Sequence, residues 1–112
     1  MKRGDIYDAR LSPTEGSEQT GTRPVLIVSR DAINRYSPVI VNAPFTSAKN
    51  VSRAYPNNVL FPAGEGGLTT DSVLLGGQVR AIARSRLLRL RGAASDQIMI
   101  KVNQALRITL DL

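Results

Sequence analysis

Residues 24–28 limit the possible fold more than any other part of the chain, because they form a continuous apolar run, Pro-Val-Leu-Ile-Val, with three β-branched side chains. A strand with one face in solvent alternates polar and apolar residues, whereas a strand covered on both faces is apolar throughout. We therefore predict that residues 24–28 are the central strand of a sheet.

The remaining short patterns predict a mainly β chain around this strand. Residues 5–11 alternate apolar and charged side chains, as a half-buried strand does, and residues 31–38 have the composition of a polar turn or short helix. Residues 39–43 are predicted as a second buried strand that ends at Pro44, since proline lacks the N–H that a sheet uses. Shorter strands are predicted at residues 59–61, 72–75 and 79–82, the last two separated by Gly76 and Gly77.

The end of the chain predicts one helix. Ser95 is a candidate N-cap, and Asp96 in the first turn complements the helix dipole. Apolar side chains then recur at spacings of three and four, at Met99, Val102, Leu106 and Leu110. The predicted fold class is thus mainly β with a C-terminal α-helix, in a single domain over residues 1–112, a length that suits one domain.

The absence of histidine and cysteine excludes several kinds of site. Thiolate catalysis and every cysteine metal site are removed, and a zinc site is not expected. We expect no metal and no cofactor. The chain has no run of about 18 apolar residues and no signal-peptide pattern at its start, so a cytoplasmic protein without membrane contact is expected.

The charge of the chain is strongly positive. Lys and Arg number 15 against nine Asp and Glu, a formal charge of +6, and only Lys2, Lys49 and Lys101 of the fifteen are lysines. Because arginine binds phosphate bidentately, this composition fits a polyanionic partner, and it fits a merely soluble basic surface as well.

Two polar residues lie where predicted strands meet loops. Arg23 lies between an 11-residue polar loop, residues 12–22, and the central strand, and Thr46 follows the next buried strand. If these strands are neighbours, a guanidinium and a hydroxyl converge where a phosphate could bind. The alternatives are a surface ion pair for Arg23 and a local turn bond for Thr46. A loop of this length is expected to be a mobile flap beside the site.

Short motifs in order along nearly the whole chain resemble the MazF/PemK family of toxins from type II toxin–antitoxin systems. They are Lys2-Arg3-Gly4-Asp5-Ile6-Tyr7, Leu11-Ser12-Pro13, Gly16-Ser17-Glu18-Gln19, Gly21-Thr22-Arg23-Pro24-Val25-Leu26, Asn34-Arg35-Tyr36-Ser37-Pro38, Ala43-Pro44-Phe45-Thr46-Ser47, Asp71-Ser72-Val73-Leu74, Gln78-Val79-Arg80 and Arg86-Leu87. The resemblance implies a small SH3-like β-barrel of the MazF/Kid/CcdB toxin type with a C-terminal helix, usually a homodimer. It also implies a sequence-selective endoribonuclease, or mRNA interferase, that acts on single-stranded RNA and is neutralised by a cognate antitoxin.

The family's arginine and threonine correspond to Arg23 and Thr46. In RNA the neighbouring 2′-hydroxyl can attack the phosphorus, so the enzyme needs to supply only orientation, charge stabilisation and proton transfer. Arg23 is expected to stabilise the charge on the phosphoryl oxygens, and Thr46 to hold a non-bridging oxygen. Some relatives carry a carboxylate where this chain has Gly77, which leaves Glu18 as the candidate base, with a solvated loop residue as the alternative.

RNA contacts are expected from a further group of residues. Gln78 and Arg80 would share one strand face, where they could contact a base edge and a phosphate. Arg84, Arg86, Arg89 and Arg91 extend this basic stretch, which is either a solvated surface or a region where an acidic antitoxin segment competes with RNA. Tyr36 and Tyr55 are candidates for base stacking. The remaining candidate RNA contacts are Ser17, Gln19 and Ser47.

Two other functions remain open for such a chain. One is a noncatalytic gyrase poison resembling CcdB, which has the same barrel, and the other is a noncatalytic RNA-binding module. The Gly-x-Arg-Pro and Phe-Thr-Ser blocks favour the nuclease over both.

Overall fold

The fold is an antiparallel sheet with one long helix packed against it. A computed structural model describes residues 1–11, 15–16 and 21–112. The strands in these residues are β1 (Asp5–Arg10), β2 (Thr22–Ile27), β3 (Val39–Ser47), β4 (Asn58–Phe61), β5 (Ser72–Leu75), β6 (Arg80–Ala83) and β7 (Leu87–Ala93). The helices are α1 (Asp31–Tyr36) and α2 (Asp96–Leu110), and short 3-10 turns cover Ala48–Asn50, Glu65–Gly67, Gly76–Gln78 and Arg84–Arg86.

The strands follow the order β4-β5-β3-β2-β1-β7, and β6 pairs with the first half of β3. The long strand β3 therefore has two partners along one edge, β6 at residues 39–42 and β5 at residues 45–47, while β2 pairs along its other edge. This branching bends the sheet in a barrel-like way, although the described strands leave it open between β4 and β7. The predicted mainly β class with a C-terminal helix is confirmed.

The central strand β2 is covered on both faces, as predicted. Leu26 belongs to a core cluster that α2 covers, whereas Val25 and Ile27 point to a second cluster on the opposite face. All three side chains are fully buried. Because successive side chains of β2 point to opposite faces of the sheet, this one strand contributes to both core clusters.

The helix α2 begins where the sequence predicts. The Ser95 hydroxyl accepts a hydrogen bond from the backbone N–H of Ile98, which is an N-cap bond. The apolar stripe is shifted from the prediction, because the buried residues are Ile98, Val102 and Ala105, with Met99 and Leu106 at the margin. Leu110 is 52% exposed. No helix in the described part of the chain is long and apolar enough to cross a membrane.

The end predicted for β3 at Pro44 is wrong, because the strand continues to Ser47. Pro44 lies between the stretch of β3 that pairs with β6 and the stretch that pairs with β5. A residue without an N–H is tolerated at such a gap in the ladder. Thr46 therefore lies within a strand and not in a loop after it.

The basic stretch after residue 86 contains a strand that the sequence did not predict. β7 pairs with β1 through Leu87, Arg89, Leu90, Gly92 and Ala93, with two register shifts. Leu88 and Leu90 are more than half exposed, so the strand does not show the buried alternation by which strands are recognised. The pairing of β7 comes from its neighbour β1 and not from its own pattern.

Candidate active site at the end of strands β2 and β3

The strands that carry Arg23 and Thr46 are neighbours. The antiparallel register of β2 and β3 pairs Val25 with Pro44, and Arg23 and Thr46 each lie two residues further toward the same end of these strands. Because side chains alternate along a strand, both point to the face of the sheet that Val25 occupies. Arg23 is partly buried beside β1, where its register partner is Ala9.

The Thr46 hydroxyl lies in a fixed environment. Thr46 is 7% exposed and pairs with Val73 of β5. Its Oγ1 accepts a hydrogen bond from Nδ2 of Asn50, at 3.2 Å. A hydroxyl has one proton and two lone pairs, so it can still donate one hydrogen bond while it accepts from Asn50. Asn50 was not identified from the sequence, because β3 was predicted to end at Pro44 and the 3-10 turn that follows Ser47 was not predicted.

A cavity of about 400 Å³ opens beside this hydroxyl. Its lining residues are Thr46, Asn50, Val51, Ser52, Arg53, Tyr55, Asn58, Leu75 and Gln78. An adjoining cavity of about 320 Å³ shares five of these residues and is more apolar, with Ala48, Ala54, Leu60 and Val73 in its wall. Tyr55 lines both cavities and is 51% exposed. The Thr46 hydroxyl, the basic side chain of Arg53 and the Tyr55 ring thus line one recess.

Gln78 and Arg80 do not share a strand face. Gln78 ends the 3-10 turn Gly76–Gln78, and Arg80 begins β6, where it pairs with Asn42 of β3. The backbone of this turn packs closely against the backbone at Asn57. A Cβ atom at position 76 would lie 2.1 Å from the Asn57 carbonyl oxygen, so only glycine fits there without a shift. Gln78 nevertheless lines the cavity with Thr46. The expected alternation is wrong, but Gln78 lies beside the site.

Two arginines of the basic stretch donate hydrogen bonds to backbone carbonyl oxygens of the protein itself. Arg84 donates from Nη2 to the carbonyl oxygens of Asn34 and Ser37, the latter at 2.9 Å, and so holds the end of α1. Arg86 donates from Nη1 to the carbonyl oxygen of Arg10, at 3.2 Å. Both side chains are partly buried. RNA binding by these two residues stays a prediction.

The next two arginines are paired with one carboxylate. Asp8 of β1 lies 3.4 Å from Arg89 and 3.2 Å from Arg91, both on β7. Arg91 also donates to the carbonyl oxygen of Gly67 and is 16% exposed, whereas Arg89 is 73% exposed. The charge of the basic stretch is therefore partly neutralised by Asp8, and Arg89 is more exposed to solvent than Arg91.

The other predicted site residues are distributed differently. Ser47 ends β3 next to Thr46 and pairs with Ser72. Tyr36 ends α1, is 79% exposed, and has the Arg35 guanidinium 5.9 Å from its ring centre. Ser17, Glu18 and Gln19 lie outside the described residues, as does most of the predicted flap, residues 12–22. Their roles stay predictions.

Possible metal ligands are sparse. Within residues 1–11, 15–16 and 21–112, no group of three or more Asp or Glu side chains is placed to hold a metal ion. The charged side chain in the lining of the recess is Arg53, which suits an anionic ligand.

The whole chain is similar to known toxins and endoribonucleases. Residues 2–110 match the model of the PemK-like, MazF-like toxins of type II toxin–antitoxin systems. The sequence is 42% identical to the endoribonuclease EndoA of Bacillus subtilis over 112 residues, which are 100% of this chain and 96% of the relative. It is 41% identical to the endoribonuclease MazF of Staphylococcus saprophyticus, again over 100% of this chain and 92% of the relative.

Solved structures show the same fold. The MazF crystal structure from Deinococcus radiodurans superimposes with a TM-score of 0.83 at 27% identity, covering 100% of this chain and 97% of the other. A mycobacterial endoribonuclease in complex with its cognate antitoxin gives a TM-score of 0.82 at 26% identity, covering 100% and 96% of the two chains.

Proposed function

This chain belongs to the family of PemK-like, MazF-like toxins of type II toxin–antitoxin systems, and we propose that Arg23 and Thr46 carry its activity. That activity is sequence-specific cleavage of RNA, and a cognate antitoxin neutralises it. The observation that supports the assignment is the position of the two residues at the same end and on the same face of β2 and β3. The relatives are named endoribonucleases, which leaves no support for a noncatalytic gyrase poison or RNA-binding module.

The reaction needs no nucleophile from the protein. The 2′-oxygen of the ribose forms a bond to the phosphorus, the bond from phosphorus to the 5′-oxygen breaks, and the products are a 2′,3′-cyclic phosphate and a 5′-hydroxyl. The proton of the 2′-hydroxyl passes to a base, for which we propose Glu18, and the 5′-oxygen takes a proton from water. Glu18 then returns its proton to the solvent. A chain without histidine and cysteine is suited to this route, since none of its steps requires a metal or a thiolate.

Arg23 and Thr46 act on the phosphate in this scheme. Negative charge grows on the non-bridging oxygens as the 2′-oxygen attacks, and a guanidinium in a partly buried position stabilises that charge more than water does. The Thr46 hydroxyl donates its proton to one non-bridging oxygen, while Asn50 occupies a lone pair on its other side. Electrostatic stabilisation is the role of Arg23, because a guanidinium holds its protons too tightly to be a good proton donor.

Binding of the single-stranded substrate uses the recess and the basic side chains near it. In the lining of the recess, Tyr55 offers a ring on which a base can stack, and Gln78 offers an amide to a base edge. Arg80, at the start of β6, offers a charge to a phosphate. We propose that the protein acts as a homodimer in the cytoplasm, where its RNA substrate is present. Sedimentation of the purified protein tests the homodimer.

Digestion of a single-stranded RNA by the purified protein in excess EDTA tests the proposed reaction. Cleavage should continue with EDTA and yield a cyclic phosphate end. The same RNA with a 2′-O-methyl group at the cut site should resist, because the attacking oxygen is blocked. Cleavage of the methylated RNA at an unchanged rate would rule out attack by the 2′-hydroxyl, and loss of cleavage with EDTA would rule out a metal-independent reaction.

A further inference from the structure

We propose that Asn50 is a positioning residue that acts through the hydroxyl of Thr46. This inference rests on the role proposed above for Thr46. The contact that carries it is the hydrogen bond of 3.2 Å from Asn50 Nδ2 to Thr46 Oγ1, at the wall of the cavity beside the strand ends. Asn50 donates, so the hydroxyl must direct its own proton elsewhere.

The backbone around Asn50 holds the amide in place. Asn50 ends the 3-10 turn Ala48–Asn50, which directly follows β3. The turn is fixed at its start by a hydrogen bond from Ala48 N–H to the carbonyl oxygen of Asp71, at 2.9 Å, and closed by one from Val51 N–H to the carbonyl oxygen of Ala48, at 3.1 Å. The chain therefore folds back at once after Thr46, and the residue four positions later reaches its side chain.

The neighbourhood of the hydroxyl explains why such a contact matters. Thr46 is 7% exposed, and in the described residues its hydroxyl donates to no protein group. A hydroxyl rotates freely about its C–O bond unless a partner occupies one of its positions. With Asn50 in place, the proton points away from the amide and into the cavity, where a non-bridging phosphate oxygen would accept it. Asn50 thus removes unproductive orientations before RNA binds.

The first test is a double-mutant cycle measured as single-turnover cleavage at saturating RNA. Asn50→Ala should slow cleavage by about 2- to 10-fold, the effect of one hydrogen bond, with a smaller change in RNA affinity. Thr46→Ala should slow cleavage by about 10-fold or more. The double variant should be no slower than Thr46→Ala alone, because Asn50 then has no hydroxyl to orient.

Each outcome of the cycle decides something. Asn50→Ala at the wild-type rate, with Thr46→Ala slow, would overturn the positioning role and leave the proposed function standing. Equal slowing by Asn50→Ala with and without Thr46 would show that Asn50 acts independently of the hydroxyl, which also overturns it. Thr46→Ala at the wild-type rate would overturn the proposed role of Thr46 and the positioning role together.

Two further variants separate positioning from folding. Asn50→Asp keeps the shape of the side chain but replaces the donor with an acceptor. The Thr46 hydroxyl should then donate its hydrogen bond to the new carboxylate and not to the phosphate, so cleavage should be slower than in Asn50→Ala. Asn57→Ala is a matched control, because it removes a similar amide-to-hydroxyl bond, from Asn57 Nδ2 to Thr109 Oγ1 at 3.3 Å. Any slowing of cleavage by Asn57→Ala should be the same in the wild-type protein and in the Thr46→Ala variant. Thermal unfolding of each variant reports any loss of structure.

A chemical test uses RNA in which sulfur replaces one non-bridging oxygen at the cut site. Sulfur accepts hydrogen bonds poorly, so in one of the two diastereomers the contact to Thr46 is already weakened. On that diastereomer, Asn50→Ala should cleave at nearly the same rate as the wild-type protein. On the other diastereomer, Asn50→Ala should remain slower than the wild-type protein. The same slowing on both diastereomers would contradict an action of Asn50 through one phosphate oxygen.

Discussion

Arg23 of β2 and Thr46 of β3 lie on one face of the sheet, each two residues beyond the Val25–Pro44 pair. Neither residue depends on a flexible loop for its backbone position, since both belong to strands. We propose that a guanidinium and a hydroxyl on strands held this way lose little conformational freedom when RNA binds, as charge stabilisation in a transition state requires.

Arg23→Ala and Arg80→Ala should affect different steps. Charge that meets Arg23 develops in the transition state, so its loss should lower single-turnover cleavage at saturation by about 100-fold or more, with a smaller fall in RNA affinity. A phosphate contact of Arg80 is made equally before and during reaction, so its loss should weaken binding and flatten the salt dependence. Wild-type cleavage by Arg23→Ala at saturating RNA would refute the active-site assignment.

Tyr55→Ala should weaken RNA binding, because the ring lines both cavities beside Thr46 and is half exposed. Stacking of a base on an aromatic ring contributes about 1–3 kcal/mol, which corresponds to a loss of roughly 5- to 150-fold in affinity. Tyr55→Phe keeps the ring and is the matched control, so its affinity should stay near that of the wild type. Equal weakening by both variants would point to the hydroxyl and not to stacking.

Arg84→Met should lower the stability of the protein itself. The substitution keeps a long apolar side chain but removes the donor that serves the carbonyl oxygens of Asn34 and Ser37 at the end of α1. Loss of charged hydrogen bonds to partly buried carbonyls costs about 1.5–3 kcal/mol, which urea unfolding measures. Lys101→Ala, at an exposed site on α2, is expected to change stability by less than about 0.5 kcal/mol. An unchanged unfolding midpoint for Arg84→Met would show that these bonds do not support the fold.

Gly76→Ala should destabilise the protein more than Gly77→Ala does. A Cβ at residue 76 would lie 2.1 Å from the carbonyl oxygen of Asn57, whereas one at residue 77 would meet the flexible Asn57 amide at 3.0 Å. The backbone must move in the first case, at a cost of about 1–3 kcal/mol, and the turn that carries Gln78 moves with it. Thermal unfolding of the two variants makes the comparison, and equal melting temperatures would contradict the packing argument.

The candidate site was predicted in part from the sequence. Arg23 and Thr46 were identified as a possible pair, but their convergence depended on β2 and β3 being neighbours, which no local pattern states. Asn50 was missed because an asparagine after a strand is usual in turns, and only the 3-10 turn returns its amide to Thr46. Arg84 was predicted to contact RNA. Its hydrogen bond to the Ser37 carbonyl oxygen could not be predicted, because Ser37 lies 47 residues away in the chain.

Local periodicity, capping and short motifs were enough to predict the class of the fold, the central strand, the start of α2 and the family. The passage of β3 through Pro44, the strand β7 and the unequal exposure of the arginines in the basic stretch became visible only in the folded chain. The physical reason is the same in each case. Strand pairing and ion pairing are contacts between residues far apart in the chain, and their free energy depends on the neighbour that the fold supplies and not on the residue's own segment.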